Sequence, residues 1–151
     1  MLDVKFYDTI DDALLKFAVV ISQSKGKWVF CKHKERDTYE VPGGHREEGE
    51  DILETAKREL QEETGAVRFD IKPVCVYSVT GKTRVNETGE ETFGLLCYAD
   101  ISEFFRNLDS EIEKVVLMDE LPTDWTYPLI QPKLIEEFER RKLQARNNEA
   151  I

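Results

Sequence analysis

Apolar and polar positions follow two different periods along this chain of 151 residues. Segments that are rich in Val, Ile, Phe, Tyr and Trp and bounded by turn-forming residues predict strands. The strands predicted in this way are 15–22, 27–33, 69–79, 91–101 and 114–118. Ser24, Lys25 and Gly26 predict the turn between the first two strands, and the turn-rich stretch 81–89 separates the next pair. The segment 37–45 is predicted to be a loop.

Two other segments repeat their apolar residues with the helical period of about 3.6. In 51–64 the apolar stripe comprises Ile52, Leu53, Ala56 and Leu60. In 128–146 the predicted inner face comprises Leu134, Ile135, Phe138 and Leu143. Residues 147–151 are predicted to fray. Strands on both sides of a central helix, followed by a terminal helix, predict a single α/β domain over 1–151 with a mixed sheet between helices. The pattern alone leaves several α/β topologies open.

The helix predicted at 51–64 places its acidic residues unusually. With about 100° per residue, Glu59, Glu62 and Glu63 occupy one narrow arc, and Glu59 and Glu63 lie on the side of the apolar stripe. Like charges four residues apart repel, and they repel more strongly where water is scarce. A solvated acidic face is the alternative. The position beside the apolar stripe favours a site for a hard divalent cation such as Mg²⁺, with Mn²⁺ as a substitute.

The loop before this helix contains the sequence Val41-Pro42-Gly43-Gly44. A glycine pair is free to adopt positive φ, and it lets the backbone approach a ligand or metal closely. We therefore expect Gly43 and Gly44 to offer a backbone carbonyl or amide to a bound metal–phosphate cluster. A plain turn is the alternative.

The same region resembles the signature of the Nudix hydrolases, a family that includes the MutT-type nucleotide-pool enzymes. That signature is Gly, five residues, Glu, seven residues, then Arg-Glu-aliphatic-any-Glu-Glu-any-Gly-aliphatic. The matching residues here are Gly44, Glu50, Arg58, Glu59, Leu60, Glu62, Glu63 and Gly65. The last position holds Ala66, which is smaller than the usual Ile, Leu or Val. We expect Val67 to supply the missing packing.

The resemblance implies an α/β/α sandwich and metal-dependent attack of water on a diphosphate linkage. It also implies that Glu59, Glu62 and Glu63 bind the metal and that one acid acts as general base. Arg58 is expected to orient a carboxylate, with contact to a substrate phosphate as the alternative. For Glu50, a role in the metal site and simple capping of the helix N-terminus are equally open.

Many family members use one further acid from outside the signature. Four acids near the last predicted strand are candidates for this role: Asp109, Glu111, Glu113 and Glu120. We select Glu111 among them; each is otherwise an ordinary surface acid.

Other side chains leave two interpretations open. Three cations before the glycine pair either contact phosphate or solvate a strand end: Lys32, Lys34 and Arg36. Trp125 and Tyr127 either stack on a base or pack in the core. His33 and His45 have no partner at a metal-type spacing, and we assign them no catalytic role.

Composition limits the class of protein further. The formal charge is −10, which argues against nucleic-acid binding because such binding needs a basic surface. No apolar run is long enough for a membrane span, and the N-terminus lacks the pattern of a signal peptide. Three cysteines lie in apolar runs without metal-type spacing. They predict buried reduced thiols and a cytoplasmic location.

The expected substrate is a nucleotide-type small molecule, and a homodimer is one option for the assembly. Gly81, Lys82 and Thr83 stand where an ADP-ribose type has proline, and Thr83 and Arg84 stand where a dinucleoside-polyphosphate type has tyrosine. Nucleoside triphosphates, including oxidised ones, are therefore the leading class. The alternatives are hydrolysis of those other nucleotides, a Nudix domain that senses a nucleotide without cleaving it, and a diphosphate isomerase.

Overall fold

The computed structural model of the protein describes residues 2–83, 86–105 and 112–149, and within these ranges it has a seven-stranded sheet and two α-helices. The strands are β1 (Asp3–Tyr7), β2 (Leu15–Ser24), β3 (Lys27–His33), β4 (Gly43–His45), β5 (Ala66–Thr80), β6 (Thr92–Phe104) and β7 (Ile112–Met118). The helices are α1 (Ile52–Thr64) and α2 (Gln131–Glu149), and a short 3₁₀ helix (Asp12–Leu14) precedes β2.

The sheet is mixed, as the sequence predicts. Its strand order is β1-β5-β6-β2-β3-β7, and β4 pairs with β2 outside this path. The central strands β2 and β6 run parallel, whereas every other described pair is antiparallel. Because β4 lies directly beside β2, the segment that leads into α1 is attached to the middle of the sheet.

Successive residues of β2 lie on opposite faces of the sheet and thereby contribute to two separate cores. Val20 packs on the face covered by α1, whose fully buried residues include Ala56 and Leu60. Ile21 packs on the opposite face, in a cluster that contains three residues of α2: Leu134, Ile135 and Phe138. The predicted α/β/α sandwich is confirmed.

Helix α1 has defined signals at both ends. Asp51 is the N-cap, and its side chain accepts a hydrogen bond from the Leu53 N–H at 3.3 Å. At the other end Gly65 has a φ of 75°, in the left-handed region that favours glycine, and its N–H donates to the Gln61 carbonyl. The prediction of a helix at 51–64 is therefore confirmed to within one residue.

Two short strands were missed by the sequence pattern. β1 (Asp3–Tyr7) contains two charged residues in five, and it lies at the edge of the sheet against β5. β4 (Gly43–His45) falls inside the predicted loop 37–45. Its residues have no strand-forming character, and it exists because its backbone pairs with β2.

Several predictions about packing were wrong. Leu143 is 60% exposed, so it is not part of the inner face of α2, which begins at Gln131 and not at 128. Ala66 is itself buried in the core, whereas Val67 is 45% exposed and supplies no packing there. Helix α2 continues to Glu149, past the predicted start of fraying, and residues 150–151 lie outside the described residues.

Candidate active site

The acidic residues of α1 divide into a buried pair and an exposed neighbour. The side chains of Glu59 and Glu63 are only 14% and 13% exposed, whereas that of Glu62 is 56% exposed. Glu63 is held by the Gly43 N–H, which donates to its Oε1 at 2.9 Å. The structure thus places Glu59 and Glu63 on the core side of the helix, and Glu62 at the solvent side of the same arc.

Glu63 occupies a position where a negative charge is costly. The pKa of its carboxyl is raised to about 9, chiefly by burial; the hydrogen bond from Gly43 opposes this shift, and the neighbouring acids Glu59 and Glu40 add to it. A carboxylate in such a place is stabilised in its ionised form by a cation nearby. The electrostatics therefore favour a bound cation beside Glu63.

The glycine pair is required by close packing. A side chain at Gly44 would overlap the carboxylate of Glu59, and a Cβ at Gly43 would lie 2.7 Å from the Ala18 carbonyl oxygen. Neither glycine has a positive φ, so it is the absence of a side chain, and not the freedom to adopt positive φ, that the packing here requires. They allow β4 to lie against both β2 and the acids of α1.

Arg58 links the acids of the site into one network. Its Nε and Nη2 donate to the two oxygens of Glu50 at 2.7 and 3.1 Å, and its Nη1 donates to Glu59 Oε1 at 2.8 Å. Its Nη2 also donates to the His45 carbonyl at 3.0 Å, and Glu62 lies further away at 3.5 Å. Arg58 therefore holds Glu59 in one orientation and ties it to the end of β4.

Glu50 is fully engaged in this network and does not cap the helix, since Asp51 is the N-cap. In addition to Arg58, it accepts hydrogen bonds from Thr55 Oγ1 at 2.6 Å and from the Glu47 N–H at 3.1 Å. The hydrogen bond from Arg58, more than any other contact, lowers the pKa of Glu50 to about 2. Glu50 is therefore ionised at neutral pH, with its charge matched by the guanidinium.

Two further residues, which the sequence pattern did not assign to the site, adjoin Glu63. His33 Nε2, at the end of β3, lies 4.0 Å from Glu63 Oε2 and 3.7 Å from Glu40 Oε2. These separations exceed those of hydrogen bonds, and the ligand atoms of the three residues lie within 4.8 Å of one another, close enough to share one metal ion. His33 and Glu40 are only seven residues apart, but Glu63 lies on another element, and no metal-type spacing signals the convergence of the three.

A cavity of about 590 Å³ opens beside this cluster. Gly43, Gly44 and His33 line it on the side of the acids, and Phe17, Tyr77 and Tyr127 are its aromatic lining residues. A volume of this size is typical of small-molecule sites. The glycine pair, which contacts Glu59 and Glu63 and also lines the cavity, thus connects the acids of α1 to an apolar chamber.

The structure also shows where the residues with two open interpretations lie. Trp125 packs edge-to-face on Phe30 at 5.4 Å in the core, whereas Tyr127 lines the cavity. Arg36 lines the cavity as well and donates to Glu40 Oε1 at 3.2 Å, whereas Lys34 is exposed. Of the acids proposed from outside the signature, Glu111 and Asp109 lie outside the described residues, and Glu120 is exposed. The three cysteines are buried and free, as predicted.

The chain is similar to a known family and to known proteins. The model of the NUDIX domain family matches residues 14–138. The Bacillus subtilis (strain 168) protein YtkD, whose name provisionally describes an 8-oxo-dGTP diphosphatase, is 37% identical over 108 residues. The matched region is 71% of this chain and 64% of YtkD, so the chain spans less than two thirds of that relative's length.

Solved structures share the fold. The B. subtilis pyrophosphohydrolase BsRppH, crystallised as a Glu-to-Ala variant, is 28% identical with a TM-score of 0.74, and the match covers 92% of this chain and 90% of that one. A NUDIX hydrolase from Nitrosomonas europaea is 22% identical with a TM-score of 0.65, over 83% and 89% of the two chains. In the described part of the chain, no helix combines the length and apolar character that a bilayer crossing needs.

Proposed function

Because the chain belongs to the NUDIX domain family, we propose that it is a divalent-metal-dependent pyrophosphohydrolase that cleaves a diphosphate linkage in a nucleoside triphosphate. The observation that carries this proposal is the buried pair Glu59 and Glu63, fixed against the glycine pair that lines a cavity of about 590 Å³. The names of YtkD and BsRppH, a diphosphatase and a pyrophosphohydrolase, support the same reaction class.

The donor set fits a hard divalent cation, and Mg²⁺ is the ion we propose. The carboxylates of Glu59 and Glu63 are largely withdrawn from solvent, and Glu63 is destabilised as an anion unless a cation is near. Glu62 adds an exposed carboxylate on the same helix, and Glu50 holds the network through Arg58. Oxygen donors of this kind are those that Mg²⁺ and Mn²⁺ prefer. When bound, the metal would neutralise phosphate charge and lower the pKa of a coordinated water.

The protein's own residues would position and deprotonate the attacking water. The new P–O bond forms from water, the bridging P–O bond breaks, and the proton of water passes to one of the site carboxylates. Arg58 fixes the orientation of Glu59, and the Gly43 N–H fixes Glu63, so both acids keep their place during the reaction. Glu111 remains our proposed further acid, and Gly43 and Gly44 our proposed contacts for the phosphates.

A nucleotide panel with substitutions on α1 tests the proposal. Purified protein is incubated with nucleoside triphosphates, 8-oxo-dGTP, ADP-ribose and dinucleoside polyphosphates in Mg²⁺ or Mn²⁺, and labelling with ¹⁸O-water identifies the phosphorus attacked. Glu59→Gln, Glu62→Gln and Glu63→Gln are each expected to reduce turnover by about a hundredfold or more. Glu54→Gln is the matched control, because Glu54 is an exposed acid on the same helix and should leave turnover unchanged.

Two results would contradict this function. Equal turnover in wild-type protein, Glu59→Gln and Glu63→Gln would remove the acids from the chemistry. Tight binding of a Mg²⁺–nucleotide with no product after long incubation would identify a sensor domain instead of an enzyme.

Two wider expectations belong to the same proposal. A cytoplasmic location is supported by three buried free thiols, and absence of nucleic-acid binding is supported by the charge of −10. A short oligonucleotide with a 5′-triphosphate, added to the panel, tests the second expectation directly, and sedimentation tests whether the protein forms a homodimer.

A further inference from the structure

One cluster beside the cavity combines a histidine nitrogen with two carboxylates. His33 Nε2 lies 3.7 Å from Glu40 Oε2 and 4.0 Å from Glu63 Oε2. A charged histidine that pairs directly with a carboxylate comes as close as about 2.8 Å. Two ligands of one tetrahedral metal ion, each about 2.1 Å from it, lie about 3.4 Å apart. The separations in the cluster are therefore nearer to those of ligands around one ion than to those of a direct ion pair.

Both carboxylates are oriented so that one oxygen of each faces the histidine. The Gly43 N–H donates to Glu63 Oε1 at 2.9 Å, and Arg36 Nη1 donates to Glu40 Oε1 at 3.2 Å. The Oε2 atoms are the ones on the side of His33. Hydrogen bonds that orient metal ligands are a usual part of metal sites. The two acids are thus arranged as ligands before any ion binds.

The cluster is withdrawn from solvent and yet adjoins the cavity. The side chains of Glu40, Glu63 and His33 are 8%, 13% and 21% exposed. The backbone of Glu40 pairs with Cys31, two residues before His33, through hydrogen bonds of 2.8 and 3.0 Å. His33 and Glu40 also line the cavity. An ion can therefore reach three ligands on fixed elements from the cavity side.

The nitrogen donor decides which ion suits this cluster. Mg²⁺ prefers oxygen ligands and keeps several waters, so an imidazole adds little to its binding. Zn²⁺ binds imidazole nitrogen and carboxylate oxygen equally well, and many zinc sites consist of three protein ligands and one open position. One histidine and two glutamates form such a set of three.

We propose that His33, Glu40 and Glu63 form a binding site for Zn²⁺. It is distinct from the proposed Mg²⁺ site of Glu59 and Glu62, and it shares Glu63 with that site. Zn²⁺ on Glu63 would withdraw this acid from the Mg²⁺ site, so Zn²⁺ should inhibit turnover. That consequence rests on the proposed hydrolysis, whereas the binding of Zn²⁺ does not.

The test measures metal binding directly. Metal-free protein is titrated with Zn²⁺ in a calorimeter and with Co²⁺, whose visible absorption becomes strong when the ion is four-coordinate. His33→Phe keeps the ring without its nitrogens, and Glu40→Gln keeps an acceptor for Arg36 Nη1. Each should reduce the affinity for Zn²⁺ by about a hundredfold, and each should lose the strong Co²⁺ absorption. The control is His45→Phe, because His45 is the only other histidine of the chain and lines the same cavity outside the cluster. It should keep the wild-type affinity.

A comparison with the Mg²⁺ site separates the new site from the proposed function. His33→Phe should keep the stabilisation by Mg²⁺, which also shows that the variant is folded, and its turnover should resist Zn²⁺. Glu59→Gln should lose turnover and keep its affinity for Zn²⁺. Equal Zn²⁺ affinity in wild-type protein and in both cluster variants would overturn the inference, as would a Co²⁺ spectrum identical to that of the aqueous ion. Zn²⁺ binding that depends on His33, in a protein without any turnover, would retain the site and refute the hydrolase. Turnover without such binding would do the reverse.

Discussion

At Gly44, the absence of a side chain lets a carboxylate lie against the backbone. A methyl group there would occupy the space of the Glu59 carboxylate, which Arg58 holds on its other side. We therefore expect Gly44→Ala to displace Glu59 and to lower kcat by about a hundredfold, because displacements of about 1 Å at a catalytic group have effects of this size. Steady-state kinetics and thermal unfolding should be measured together.

Gly26→Ala is the control for this prediction. Gly26 has a φ of +78°, and a Cβ added to it would have no atom within 4 Å, so its substitution adds backbone strain without touching the site. It should lower the free energy of unfolding by about 1 kcal/mol and leave kcat unchanged. Full activity in Gly44→Ala would show that the close approach of Glu59 to this backbone has no catalytic importance.

The raised pKa of Glu63 predicts how stability depends on pH when no metal is present. Between the ordinary value of 4.5 and the folded value of about 9, the folded protein keeps a proton that the unfolded chain releases. The free energy of unfolding should therefore decrease as pH rises through this window. Urea denaturation in EDTA at several pH values checks the slope, and Glu63→Gln, which retains an acceptor for the Gly43 N–H, should make it flatter.

Glu50→Gln separates this effect from the general charge of the site. The pKa of Glu50 is lowered to about 2, so its contribution to stability is lost only as pH falls below 4.5. Glu50→Gln should therefore leave the dependence of the free energy of unfolding on pH, between pH 5 and pH 9, as it is in wild-type protein. Equal slopes in wild-type protein and Glu63→Gln would mean that Glu63 ionises normally in the folded state.

Among the helices and strands, the sequence predicted those elements in which the local signals and the packing agree. Helix α1 has a cap residue at one end, a left-handed glycine at the other and an apolar stripe between them, so its position followed from the sequence. The same period placed Glu59 and Glu63 on the core side, where the structure has them. β1 and β4 were missed because their pairing with other strands creates them, and their residues carry no strand signal of their own.

The part of the site that the sequence could not predict lies between elements. His33 and Glu40 reach Glu63 only because β3, the loop before β4 and helix α1 converge on one end of the sheet. Gln131 faces the cavity because α2 begins beside Val41, some 90 residues earlier in the chain. A histidine or glutamine without a periodic partner carries no local signal, so such contacts require the three-dimensional fold.

At the scale of the whole molecule, acidic residues outnumber basic ones, and the site brings several of these acids close together. With a net charge of −10, the metal-free protein is destabilised by self-repulsion, which any salt screens to a modest extent. A specific cation at Glu59 and Glu63 acts differently, because it binds only the folded state. Its stabilisation should grow with the logarithm of the ion concentration above the dissociation constant, and it reaches about 2.7 kcal/mol at a hundred times that constant.

Thermal unfolding in Mg²⁺ and in NaCl of equal ionic strength distinguishes the two effects. Wild-type protein should gain more stability from Mg²⁺ than from NaCl, whereas the double variant Glu59→Gln/Glu63→Gln should respond equally to both salts. The control is Glu136→Gln/Glu139→Gln, which changes the net charge by the same amount at exposed positions of α2. It should keep the full response to Mg²⁺, because its substitutions relieve repulsion without removing a ligand. An equal Mg²⁺ response in all three proteins would mean that the ion acts only by screening, and that the buried acids of α1 do not bind it.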